Sequence, residues 1–204
     1  MDNTKKEKEL VIVQIVFLFI LPVVLLYFNI IPDNLRVIML LSVALVLFGI
    51  VEHEKWNFLD MGIIKDFMKD ILPYSLFTLG GVGFLFWLSK IVPHAPFLEW
   101  WESAKFLLLF IPISVLQEII FRGVLMNFLI KAFSNPIFII GLNAAVFAFM
   151  HVIYLNSVFV LPFTFIAGIG FAWMYLKYKN LILISVAHTI LNFVAVAMGF
   201  FVIR

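Results

Sequence analysis

Seven apolar runs, each roughly 17–27 residues long, follow one another with short polar breaks, and each can cross about 30 Å of hydrocarbon as a helix. They are Leu10–Ile31, Leu35–Val51, Ile71–Val92, Lys105–Lys131, Pro136–Leu155, Ser157–Leu176 and Leu181–Ile203. Backbone N–H and C=O groups in lipid find no water, so a spanning segment is either a helix or part of a closed barrel. The outward/inward alternation of barrel strands is absent. The pattern predicts an all-α, polytopic membrane helical bundle of about seven spans, within a range of six to eight. No repeat, low-complexity tract or long linker divides it, so residues 1–204 read as a single membrane domain.

Composition agrees. The chain is 65% hydrophobic and 13% charged, where a soluble domain has about 45–50% and about 25%. A net charge of +2 is too small to point to nucleic acid, and membrane lipids are the expected surroundings. With no cysteine there is no disulfide, thiolate nucleophile or Cys metal site. The N-terminal MDNTKKEKEL runs straight into the first apolar segment without a small-residue cleavage site, which reads as a retained signal anchor. With the N-terminus cytoplasmic, nine Lys fall inside (5, 6, 8, 55, 65, 69, 131, 177 and 179) against Arg36, Lys90, Lys105 and Arg204 outside. That excess predicts a multi-pass protein with N-in, C-out topology, in the cell membrane if the source is prokaryotic.

Two connecting segments carry their own pattern. In NFLDMGIIKDFMKD, residues 57–70, the apolar side chains Phe58, Met61, Ile64, Phe67 and Met68 share one helical face, which predicts an amphipathic helix on the cytoplasmic surface. HAPFLEWWESA, residues 94–104, places Trp100 and Trp101 where an aromatic interface anchor belongs. The LGGVG stretch, Leu79–Gly83, reads as a close-packing helix face.

Ionisable groups at membrane depth cost about 2.5–3.5 kcal/mol each on insertion scales, so they face the protein interior and mark function. Glu118 and Arg122 lie on the fourth span, His151 on the fifth and His188 on the seventh, with Asn143 and Asn192 also at depth. Glu118 and Arg122 are i, i+4 and can pair, which lowers the cost of burying either. His188 and Asn192 have the same spacing, so their side chains can converge on one object. A carboxylate and a neutral histidine can hold and deprotonate a water. A second histidine and an asparagine amide can donate to a developing oxyanion. This set suits amide hydrolysis without a covalent intermediate. Glu118, His151 and His188 suit a divalent metal such as Zn²⁺ equally well. A structural ion pair with interhelical polar contacts, or a proton- or ion-coupled transporter, are the competing readings. The HExxH spacing is missing, since His53-Glu54 lacks its second His, and there is no GxSxG. Ser185 reads as a core or cap residue.

Three segments carry a family likeness. QEIIFRGVL, Gln117–Leu125, resembles the EExxxR motif of the CAAX protease and bacteriocin-processing (CPBP, Abi) family of intramembrane endopeptidases. FAFMH, Phe147–His151, is similar to its FxxxH motif, and HTILN, His188–Asn192, to its Hxxx(N/D) motif. The resemblance covers about residues 103–195 and implies a multi-helix intramembrane protease with no expected cofactor. It also implies a peptide or membrane-protein substrate, possibly prenylated. Carried over, His151 is the partner in water activation, and His188 with Asn192 forms the oxyanion site. Phe147 and Arg122 support the site, and Glu118 matches the second Glu of the motif.

The first Glu of that motif is Gln117 here. An amide binds water but does not take its proton as a carboxylate does. The chain is then a catalytically silent member that acts by binding, or a form inactivated by the near-isosteric Glu-to-Gln change, or an enzyme whose base is Glu118. On an α-helix Glu118 points about 100° away from position 117. Counted along the helices, His151 lies roughly 22 Å and His188 roughly 10 Å from the cytoplasmic ends. A shared site therefore predicts tilted or broken helices, with Pro112, Pro136 and Pro162 as the places for the break.

Overall fold

The computed structural model describes residues 3–154 and 156–201. The expected segment ends Leu155 and Ile203, and the outside cation Arg204, lie outside the described residues. Among the described residues the protein is a bundle of seven apolar helices: α1 (Lys5–Tyr27), α2 (Asp33–His53), α3 (Phe67–Leu88), α4 (Leu108–Ala132), α5 (Pro136–Ile153), α6 (Ser157–Tyr178) and the shorter α7 (Leu181–Ala197). Six are long and apolar enough to cross a membrane. It is an integral membrane protein. On α2, Ile38, Leu41, Leu45 and Phe48 recur every three to four residues and all are exposed, a face that suits lipid and not water.

Local sequence sets where three of the helices begin. Ser103 Oγ accepts the Phe106 N–H at 3.2 Å, so helical structure leading into α4 starts at Ala104. Asn135 Oδ1 accepts the N–H groups of Ile137 and Phe138 at 2.9 and 3.3 Å, with Pro136 at the first helical position, an N-cap that starts α5. Lys179, in the left-handed region at φ 47°, ends α6. Asn180 then caps α7, accepting the Leu183 N–H at 3.1 Å and donating to the Phe67 carbonyl at 2.7 Å. This turn pins the start of α7, and so the height of His188.

Several helices depart from regular α geometry. Residues Ile119–Leu125 of α4 form a π-helical stretch, and a second one spans Val16–Ile20 of α1. Pro112 and Pro162 lie inside α4 and α6. The last turn of α5, Met150–Ile153, tightens to a 3-10 helix around His151. Such departures redirect side chains within a helix.

The helix expected over residues 57–70 does not form. The segment is a series of turns ending in the 3-10 turn Phe67–Asp70. Asn57 and Asp60 exchange backbone–side-chain hydrogen bonds of 2.8 and 3.0 Å, which competes with helical bonding. Gly62 sits at φ +78°, and a Cβ there would lie 2.9 Å from the Lys179 carbonyl oxygen. Its own carbonyl accepts the Leu181 N–H at 2.8 Å. Met61, Ile63 and Phe67 turn inward against the core, while Phe58, Leu59 and Met68 stay exposed.

α5 and α6 form the most extensive helix pair, and α7 packs between α3 and α4. Gly168 on α6 permits the first contact: a Cβ there would come within 3.0 Å of Ala144 Cα and 3.2 Å of Phe147 Cδ1. Gly81, from the LGGVG stretch, meets Leu191 of α7 in the same way. Trp100 packs edge-on against Phe193 at 4.9 Å, while Trp101 stays exposed.

Candidate active site

The charged pair expected from the i, i+4 spacing forms. Arg122 Nη1 donates to Glu118 Oε1 at 3.0 Å, and both side chains are fully buried. The same oxygen accepts from His188 Nδ1 at 2.6 Å, which joins α7 to α4. Aromatic rings surround the guanidinium. Its carbon lies 4.5 Å from the Phe147 ring centroid and 5.2 Å from that of Phe171, within cation–π range. Arg122 Nη2 reaches the Gly168 carbonyl at 3.5 Å, an approach that the missing side chain of Gly168 allows. A charge pair this deep is costly to desolvate and survives through such added contacts.

The two histidines each have one ring nitrogen engaged. His151 Nδ1 lies 2.9 Å from the Phe147 carbonyl oxygen. A carbonyl only accepts, so this bond puts the proton on Nδ1 and leaves Nε2 as the acceptor in the neutral ring. His188 donates its Nδ1–H to Glu118 Oε1, again leaving Nε2 for a ligand. Phe147 stands between them, its centroid 5.1 Å from the His151 ring and 5.6 Å from the His188 ring. The spacing of the two histidines along their helices is thus bridged by a ring one turn before His151.

His151, His188 and Asn192 line one cavity of about 410 Å³, whose remaining wall is mostly apolar and comes from α3, α5, α6 and α7. Gln117 is not on that wall. It lines a smaller neighbouring cavity of about 140 Å³, which His151 also lines. His151 is therefore the residue common to both. Glu118 lines neither. Asn143 stands apart, donating to the Phe121 carbonyl at 2.9 Å and so bracing the π-helical stretch of α4. Ser185 Oγ bonds the Leu181 carbonyl at 2.7 Å within its own helix.

Ser114 was not among the expected residues. It is fully buried and its Oγ accepts from Asn192 Nδ2 at 3.1 Å, which fixes the amide and leaves its second N–H free. Its signal was in the sequence: Ser114, Glu118 and Arg122 are spaced by four and form one polar stripe. Among the described residues, no three His, Asp or Glu side chains gather as a metal site, the trio Glu118, His151 and His188 included.

Residues 99–194, a little under half of the chain, match the family model described as Type II CAAX prenyl endopeptidase Rce1-like. The match bears out the family read from the three motifs and spans all of them. No curated protein and no solved structure matches the chain.

Proposed function

We propose that this chain, whose residues 99–194 are an Rce1-like domain, is a CAAX-type intramembrane endopeptidase that hydrolyses a peptide bond near the membrane surface. The observation that carries the reading is the pair of histidines on one cavity, each with Nδ1 engaged and Nε2 left for a ligand. His151 Nε2 takes a proton from a water that the Gln117 amide helps to hold on the neighbouring wall. The water oxygen attacks the carbonyl carbon of the scissile bond. The carbonyl oxygen becomes an oxyanion that accepts from the free N–H of Asn192 and from His188. Because His188 already spends its Nδ1 proton on Glu118, donation from Nε2 requires the imidazolium form, for which Glu118 is the counter-charge. The proton on His151 then passes to the leaving amine.

Glu118 is a positioning residue here, not the base: Oε1 is shared by Arg122 and His188, and the side chain lines neither cavity. The scheme uses no metal. The substrate class is a peptide or membrane protein, and the apolar wall of the larger cavity suits a prenylated one. The Lys and Arg distribution supports an N-in, C-out arrangement, and the membrane is the cell membrane if the source is prokaryotic.

Gln117 favours a second reading, a catalytically silent member that binds a membrane partner. The test compares new peptide termini across the membrane proteome for the chain, Gln117→Glu, His151→Ala, and Gln117→Glu with His151→Ala. Termini made by the chain and lost with His151→Ala establish the peptidase. Termini that need Gln117→Glu identify a protease site lacking its base. No cleavage by any version leaves the binding reading standing.

A further inference from the structure

The chain runs on past the family match at 99–194, and beyond α7 it turns back onto the site. Gly199 makes the turn at φ +78°. A side chain there would collide with the backbone carbonyl of Ala95, so the position requires glycine. Three hydrogen bonds fasten the returning segment. The Phe97 N–H donates to the Ala197 carbonyl at 2.9 Å, and the Ala95 N–H to the Gly199 carbonyl at 3.4 Å. Both tie it to the connection between α3 and α4. Asn156, just ahead of α6, donates from Nδ2 to the Phe200 carbonyl at 2.7 Å.

These bonds deliver two rings. Phe200 is fully buried, with its centroid 5.7 Å from the Phe163 ring and 5.6 Å from the His94 ring. Phe201 lines the larger cavity together with His151. Its centroid lies 5.7 Å from the His151 ring, 5.0 Å from that of Tyr154 and 5.7 Å from that of Phe163. Among the described residues, the rings against His151 are those of Phe147, Tyr154 and Phe201. Phe147 and Tyr154 lie within four residues of His151 along the chain, and the Nδ1 bond also goes to Phe147. Phe201 is thus the ring among them that comes from a distant part of the chain.

We propose that residues 197–201 form a stopper at the His151 end of the larger cavity, and that Phe201 is a positioning residue that holds the His151 ring and shields it from water on that side. The inference rests on the peptidase reading and adds a residue to it from outside the three motifs. His151 needs such a hold. It sits in the last turn of α5, which has already tightened to a 3-10 helix, and terminal turns open most readily. Contacts from the same turn move with it when it opens. A ring carried by another segment does not, so it resists the opening. The stopper is itself fixed by Gly199, Asn156 and the buried Phe200 ring, none of which lines the larger cavity.

The test uses the full chain in phosphatidylcholine nanodiscs. Mass spectrometry follows exchange of each histidine C2 hydrogen for deuterium at about pH 9, where free imidazoles are neutral and the rate reports access of solvent to the ring. Phe201→Ala is expected to quicken exchange at His151 about fivefold, with His188 and the melting temperature unchanged. Phe201→Tyr, which keeps the ring, is expected to exchange as the parent does. Gly199→Ala displaces the segment through the clash with Ala95 and is expected to match Phe201→Ala. It also carries the test alone if Phe201→Ala does not fold. An unchanged His151 rate in Phe201→Ala or in Gly199→Ala, or a rise that His188 shares, overturns the proposal. Exchange needs no substrate, so the two readings fail separately. A quickened His151 without cleavage by any version of position 117 keeps the stopper and removes the peptidase. Cleavage that Phe201→Ala leaves undiminished keeps the peptidase and removes Phe201 as its positioning residue.

Discussion

His188 Nδ1 lies 2.6 Å from Glu118 Oε1, tying the last helix of the bundle to the most buried stretch of the fourth. Arg122 holds the same oxygen from within α4. One carboxylate atom therefore joins the ion pair to the candidate catalytic ring, and changes at position 118 affect both.

Glu118→Gln leaves the Arg122 guanidinium buried without its counter-charge. Removing one partner of a buried pair costs about 3–5 kcal/mol. The single variant is expected to melt well below the parent in detergent, and Glu118→Gln with Arg122→Met to recover much of the loss. A double variant that melts no higher than the single one shows that the pair is not the source of the effect.

Gly168→Ala tests the helix contact beneath the site. The new methyl meets Ala144 Cα at 3.0 Å and Phe147 Cδ1 at 3.2 Å, and overpacking of this kind costs about 1–3 kcal/mol. Stability is expected to drop by that amount in thermal melts. An unchanged melting temperature shows that α5 and α6 separate without penalty.

Asn180→Ala removes the N-cap of α7 and its bond to Phe67. The cap alone is worth about 1 kcal/mol. Hydrogen exchange at the start of α7 is expected to quicken while the interior of α5 stays protected. Equal exchange in variant and parent removes Asn180 as the anchor.

Much of this architecture is legible in the residues, for a physical reason. Lipid forces every spanning segment to be a long apolar helix, so α1 to α6 follow from run length, whereas α7 stops at Ala197, short of its apolar run, because the chain turns at Met198–Gly199. Glu118 with Arg122, and His188 with Asn192, are legible because i, i+4 spacing puts both members on one face whatever the tertiary fold. The segment 57–70 misleads because its apolar spacing is helical while Gly62 adopts a positive φ and the Asn57–Asp60 bonds compete. The separation of Gln117 from the wall carrying His188 depends on how α4 is rotated against α5 and on its π-helical stretch, and neither leaves a mark in spacing. The role of Ser114 needs the register between α4 and α7, which no local pattern contains.

The Glu118 oxygen shared by Arg122 and His188 also bears on how the protein is made. Synthesis delivers α4 to the bilayer with its two charges cancelling each other, which eases its insertion as a single helix. The polar core stays open until the ribosome has produced residues 181–197 and α7 slides in between α3 and α4. Up to that moment a buried carboxylate lacks one of its two donors and the larger cavity lacks a wall. A nascent chain stalled before α7 is thus chemically distinct from a finished one.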